Sequence, residues 1–321
     1  MKTIYKVLTL FTLALLSFSC SSDSDDVVPD SPDPEDGVQS NAFIEELLRL
    51  GQRHSINRNI IDWEQGRNRV YKAFNEEGRR TAIFEFLSIL DDNHSFYQSG
   101  NSFIYAGSGC RGGGSAYQFD LPPEIGYVQV NAVSGMDIGF AETIQREISR
   151  QNTAENIGWV VDLSQNGGGN MYPMLAGVSP LLDDGIIGYF IDPDNEQISW
   201  EQNRGVISVM GNAVISMSRD IELINPEAKI AVIVGRNTAS SGEATLISFL
   251  GSERVRTFGE PSCGLSTANQ GFNLSDGGAL YLTVSTMADR NKTLYGEMVA
   301  PDVEVSNSEE LNQAIIDWVT E

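Results

Sequence analysis

Ser240 is the residue whose type and surroundings best suit a nucleophile. It lies in Asn237-Thr238-Ala239-Ser240-Ser241-Gly242-Glu243, which runs directly into an apolar helical stretch, Ala244 to Leu250. A Ser at a helix N-terminus sits among unpaired N–H groups and the positive end of the helix dipole, where an attacking hydroxyl and a developing oxyanion are both stabilised. The same residues satisfy a capping box, since Glu243 follows Ser240 by three positions, and capping alone would explain them without catalysis. Thr238 stands where the Gly-x-Ser-x-Gly elbow has its first Gly, so the segment does not match that motif. A second loop, Asp162-Leu163-Ser164-Gln165-Asn166-Gly167-Gly168-Gly169-Asn170, carries three consecutive glycines. Glycines let the backbone approach a ligand and aim N–H groups at it, as an oxyanion hole requires, although a triple glycine serves equally as a turn. The chain has two histidines. His94, in Asp91-Asp92-Asn93-His94-Ser95-Phe96, follows an apolar helix, whereas His54 lies in a polar stretch with Arg53 and Arg58 and reads as a surface residue. Imidazole, with a reference pKa of about 6.5, is suited to act as a base near neutrality.

The elements that must position these residues are legible from periodicity. From Asn41 to Leu90, apolar residues recur every three or four positions (Phe43, Leu47, Leu48; Ile60, Ile61, Trp63; Val70, Tyr71, Phe74; Ile83, Phe86, Leu87), which predicts an N-terminal helical subdomain over 41–96. Residues 97–121 are rich in Gly and Ser and read as loop. Ile125 to Val130 reads as a strand, Phe140 to Ile148 as a helix and Ile157 to Leu163 as an almost wholly apolar strand; Lys229 to Gly235 and Ala244 to Leu250 repeat the pattern. Such βαβ units predict a parallel sheet covered by helices over 122–321, with both loaded loops leaving the C-terminal ends of strands.

Composition bounds the setting. The 321 residues are 41% hydrophobic and 20% charged, enough for a sizeable core, and 21 Lys and Arg against 44 Asp and Glu give a net charge of −23. That charge repels phosphate backbones and excludes nucleic acid as a natural partner. Lys2 and Lys6 precede an apolar run, Val7 to Leu16, too short to span a bilayer and sized for the core of a signal peptide over 1–19. The run ends in Leu16-Ser17-Phe18-Ser19-Cys20, which resembles a bacterial lipoprotein cleavage site with Cys20 as the acylated residue, although Ser17 departs from the usual Leu. Residues 20–40 are an acidic Ser/Asp/Pro tether that cannot bury enough surface to fold. This places the domain in the bacterial cell envelope, held to a membrane through the N-terminal lipid only, with the membrane face and oligomeric state open. The remaining thiols, Cys110 and Cys263, are a candidate disulfide in an oxidising compartment. No His/Cys/Asp cluster has metal-ligand spacing, and neither metal nor organic cofactor is implied.

Four separated motifs occur in order: Asp162-Leu163 with Asn166-Gly167-Gly168-Gly169, then Thr238 to Glu243, then Gly259-Glu260-Pro261-Ser262-Cys263-Gly264, then Pro301-Asp302-Val303. Together they resemble the tail-specific, or C-terminal processing, serine peptidase family over residues 80 to 305. The resemblance implies a crotonase-like βαβ superhelix with a helical cap, an α/β fold. It implies Ser240 as nucleophile and an oxyanion hole made by the N–H of Ser241 and of a glycine of the triplet, Gly168 or Gly169, with Gly169 preferred. Members with a Ser/Lys dyad carry Lys after the Gly of a Gly-x-Gly-Lys turn; here Leu265 follows Gly264, so the dyad base is missing. The segment around His94 is similar to the one that holds the catalytic His in the tricorn core protease, a relative that uses Ser, His and Glu. The third member is open among Glu297, which falls about where that Glu would, Asp289 and Glu260. Family members usually insert a PDZ module between the His segment and the sheet, and the 25 residues here leave no room for one. The expected activity is hydrolysis of a peptide or protein substrate. The rival readings are a non-catalytic ligand-binding protein on the same fold, as in interphotoreceptor retinoid-binding protein, and an esterase-like hydrolase.

Overall fold

A computed structural model describes residues 41–321 other than Ser108, Arg111, Gly112 and Asp220. The expected signal segment, the tether and Cys20 lie outside the described residues. In chain order come helices α1 (Ala42–His54), α2 (Trp63–Glu77) and α3 (Arg79–Ile89), a hairpin of β1 (Phe96–Ser99) and β2 (Ser102–Tyr105), and then β3 (Ile125–Gln129), α4 (Ile138–Gln151), β4 (Gly158–Asp162) and α5 (Met171–Val178). Four strands follow, β5 (Gly185–Ile191), β6 (Gln197–Asn203), β7 (Val206–Val209) and β8 (Asn212–Ser216), then β9 (Lys229–Val234), α6 (Ser241–Phe249) and β10 (Val255–Gly259). The chain closes with β11 (Thr267–Asn273), β12 (Ala279–Ala288), β13 (Val303–Glu304) and α7 (Ser308–Thr320). It divides into two compact units: residues up to Gly107 with Asn269–Thr283, and Ser108–Ala268 with Val284–Glu321.

In the first unit, the periodic apolar residues of α1–α3 form its core: Ile44, Leu47, Leu48, Val70, Phe86 and Leu87 are fully buried. Each of the first two helices starts at a polar N-cap, Asn41 and Asp62, whose side chain accepts N–H groups of the first turn. Ile60 does not join the apolar face expected of it; it lies in the turn before α2 and is 79% exposed. The stretch expected as loop after residue 97 begins instead with the β1–β2 hairpin, which pairs through β1 with Ala279–Tyr281 of β12. Alternation explains it: Tyr97 and Ile104 point inward beside Leu280, and Gly100, with φ +56, supplies the tight turn.

The second unit is built on a five-stranded parallel sheet in the order β13-β10-β9-β4-β3. Successive residues of β4 go to opposite faces: Trp159 and Val161 join the core beneath α4, α5 and α6, and Val160 joins the core beneath α7 with Leu311, Ile315 and Val319. A strand buried on both faces cannot alternate apolar with polar residues, which is why Trp159, Val160 and Val161 run on without a polar residue between them. An antiparallel array, β5-β6-β7-β8 with Thr286–Ala288 of β12 on its other side, completes the unit.

Candidate active site

β4 and β9 are neighbours in the parallel sheet, so the loops that leave their C-terminal ends emerge side by side. Hydrogen bonds stitch them together. The Thr238 hydroxyl donates to the Leu163 carbonyl at 2.8 Å and accepts the Gly235 N–H at 3.0 Å, and the Ala239 N–H donates to the Asn166 carbonyl at 2.9 Å. Gly242 has to be Gly because a Cβ there would stand 2.4 Å from the Asn166 carbonyl oxygen.

This stitching delivers Ser240 to the N-cap of α6 with φ +53 and ψ −114, a backbone conformation that L-residues rarely hold and that functional turns store as strain. The sequence lacks the Gly-x-Ser-x-Gly pattern, yet the backbone makes a sharp strand-to-helix turn at its serine. Gly168 lies against it: a Cβ on Gly168 would fall 3.0 Å from the Ser240 Cβ and 3.3 Å from the Ser241 nitrogen. The Gly168 N–H donates to Asn166 Oδ1 at 3.0 Å. Among the described residues, the N–H groups of Gly169 and Ser241 have no partner within the chain. Gly169, at φ +119, is fixed by the Asn170 N–H donating to the Val133 carbonyl at 2.7 Å and by the Ser241 hydroxyl donating to its own carbonyl at 2.8 Å.

The capping box accounts for one bond of the Glu243 carboxylate, to the Ser240 N–H, and its role is larger. The carboxylate is fully buried and accepts four hydrogen bonds: the Ser240 N–H (2.8 Å) and Leu265 N–H (2.9 Å) on Oε2, the Ser262 hydroxyl (2.5 Å) and Gly264 N–H (2.9 Å) on Oε1. It thus ties the nucleophile turn to the Ser262–Leu265 turn. Burial pushes the carboxyl up to about 7, although the four donors favour its ionised form. Cys263, in the same turn, donates its N–H to the Thr238 carbonyl at 2.8 Å and forms a disulfide with Cys110, Cα to Cα 5.3 Å.

The three carboxylates considered as a third member differ in what already holds them. Asp289 is buried and organises its own turn, accepting the Asn291 and Thr293 N–H groups and the Tyr295 hydroxyl. Glu260 accepts the Ser115 N–H at 2.7 Å and pairs with Arg236 at 2.9 Å; burial alone raises its carboxyl, but Ser115 and Arg236 outweigh it and hold the group below the usual range. Glu297 is exposed, and its backbone carbonyl accepts the Ser266 hydroxyl at 2.6 Å.

In the first unit, His94 sits on a turn fixed from below. Asp92 Oδ1 accepts the N–H groups of His94 (2.9 Å) and Ser95 (2.6 Å) and the Thr283 hydroxyl (2.9 Å), and Asn269 Nδ2 donates to the His94 carbonyl at 2.8 Å. Asn269 Oδ1 lies 3.0 Å from the Thr283 hydroxyl and shares its single proton with Asp92, closing the network. Only Asp92, as an Asx turn two residues before His94, left a trace in the sequence. His54 ends α1 against Phe272, with its imidazole lowered by burial and then by Arg53, Arg58 and Arg49.

A family model for peptidase family S41 matches residues 124–305, more than half of the chain. The chain belongs to this family. A nisin-resistance protein of Lactococcus lactis subsp. lactis is 35% identical over 164 residues, 50% of this chain and 49% of that protein. The chain spans half or less of the length of the curated relatives it matches. Among solved structures, a lipoprotein from Streptococcus agalactiae superposes with a TM-score of 0.68 at 24% identity, covering 86% of this chain and 95% of that one. The photosystem II D1 C-terminal processing protease superposes with a TM-score of 0.53 at 17% identity, covering 82% and 92%. These likenesses show a shared S41 protease fold of mixed α/β type. Among the described residues, no helix is long and apolar enough to cross a membrane.

Proposed function

We propose that the protein is an exported, lipid-anchored serine peptidase of the tail-specific type that hydrolyses peptide bonds through an acyl-enzyme on Ser240. The observation that carries this reading is the strained Ser240 turn at the start of α6, beside two backbone N–H groups, of Gly169 and Ser241, that have no partner among the described residues. In this mechanism the Ser240 hydroxyl attacks the scissile carbonyl while His94 takes its proton, and the two N–H groups hold the oxyanion. His94 then protonates the leaving amine, and the acyl-enzyme is released when water attacks with His94 again as base. Glu297 is the orienting carboxylate of choice, because Asp289 and Glu260 already have their oxygens engaged. Leu265 offers no proton acceptor where the dyad lysine would stand, and its N–H instead holds Glu243. The alternating parallel strands and helices from β3 to α6 support the crotonase-like superhelix, and Cys20 remains the proposed lipid site.

The relative named for nisin resistance makes nisin the first substrate to test, with unrelated peptides beside it. Ser240→Ala and His94→Ala should each lower kcat on the order of 10³-fold or more, and the double variant should be little worse, because the two act as one unit. Near-native turnover in His94→Ala with loss in Ser240→Ala would require a different base. The rival reading, a binding protein on a retired site, predicts no turnover of any peptide or ester.

A further inference from the structure

The β1–β2 hairpin carries a surface that folding does not explain. Phe96, Phe103, Tyr105 and Tyr281 gather on one face of this small sheet, with ring centroids 4.6 Å apart for Phe96 and Tyr281, 5.2 Å for Phe96 and Tyr105, and 6.0 Å for Phe103 and Tyr105. Phe103 and Tyr105 are 43% and 53% exposed. The opposite face, with Tyr97, Ile104 and Leu280, is the buried one, so the aromatic face is surplus to the core.

The same strand is an open edge. Gly100 at φ +56 in the first central position makes a two-residue type II′ turn, so Ser99 and Ser102 form the hydrogen-bonded pair that closes the hairpin. Pairs then alternate, which turns the N–H and C=O of Phe103 and Tyr105 outward, and among the described residues nothing in the chain takes them. Free edges are normally blunted by charge or Pro. This one reads Ser102-Phe103-Ile104-Tyr105 and has neither.

The edge also leads somewhere. β2 runs antiparallel to β1, and two residues past Tyr105 the backbone closes on the histidine turn: a Cβ on Gly107 would stand 2.6 Å from the Asn93 Cα. The strip and the His94 turn, which the Asp92, Thr283 and Asn269 bonds hold, belong to one compact unit. We propose that the peptide substrate docks here as an added strand, paired with Phe103 and Tyr105 of β2 and led along the edge to His94, its apolar side chains on the aromatic face. The inference rests on the peptidase reading and gives its substrate class: an extended peptide with apolar residues at alternate positions. Basic residues between them are favoured over acidic ones by the chain's charge of −23.

The test uses the full-length chain carrying Ser240→Ala, so that binding is measured without cleavage. The probe is a fluorescent decapeptide of alternating Phe and Lys, read by anisotropy, with two N-methylated versions that block alternate amides in opposite phases. Edge pairing uses every second amide, so one phase should weaken binding at least tenfold and the other should change it less than about threefold. Equal affinity of all three peptides overturns the proposal. In otherwise wild-type protein, Phe103→Ser with Tyr105→Ser should raise KM for peptide at least tenfold while leaving kcat, the rate of fluorophosphonate labelling and Tm unchanged. An unchanged KM, or a dimer in sedimentation velocity that these substitutions dissolve, also overturns it, the latter by assigning the strip to a second copy. Absence of labelling and turnover in wild-type protein would instead reject the peptidase reading, while the phase pattern still reports on docking.

Discussion

Glu243 offers a perturbation whose sign and size follow from geometry. Its folded pKa of about 7 lies above the ordinary 4.5, so between those values the folded state binds more protons than the unfolded chain. Stability is therefore fully present below about pH 4.5 and is lost as pH rises through 7, by about 3 kcal/mol in order of magnitude. Glu243→Gln removes the titration. The amide keeps one acceptor oxygen for the Ser240 and Leu265 N–H groups and turns its NH₂ toward Ser262, whose hydroxyl can accept, leaving the half-buried Gly264 N–H without its partner. That orphaned donor costs about 1–3 kcal/mol. Urea unfolding at a series of pH values from 5 to 8 should thus find the variant less stable than wild type at pH 5, with the gap closing or reversing by pH 8. A gap of constant size across that range would refute the assignment of Glu243 as the titrating group.

Two further outcomes test the architecture around the serine. Gly169→Ala places a Cβ 2.1 Å from the Val133 carbonyl oxygen at φ +119, so it should cost on the order of 3 kcal/mol and slow labelling of Ser240 at least 10²-fold, whereas Gly167→Ala, with open space around it, should do little to either. Reduction of the Cys110–Cys263 disulfide, which spans 153 residues, should lower stability in urea by about 2–5 kcal/mol; an unchanged midpoint would show that the bond does not restrain the unfolded chain.

What the sequence revealed and what it hid divide along physical lines. The parallel sheet was readable because a strand buried on both faces, such as β4, cannot alternate apolar with polar residues, and the capping box marked the start of α6 through residues three apart. The hairpin was hidden because Gly100 and the serines around it read as loop, while the alternation of Tyr97 and Ile104 is too short to register. The positive φ of Ser240 leaves no signature either, since it is imposed by the stitching of two loops some 70 residues apart. Glu243 and Asn269 were missed for the same reason. Their partners, Ser262 to Leu265 for one and His94 for the other, are distant in sequence, and only the fold brings them within hydrogen-bond range.

The central claim is that Ser240 is a live nucleophile driven by His94 rather than by a lysine. Labelling with a fluorophosphonate, followed by mapping of the adduct by mass spectrometry, tests it most directly. The account predicts one phosphonylated peptide containing Ser240 in the wild-type protein, no adduct in Ser240→Ala, and labelling slowed on the order of 10³-fold in His94→Ala. Wild-type protein that stays unlabelled, or His94→Ala labelled as fast as wild type, would contradict it.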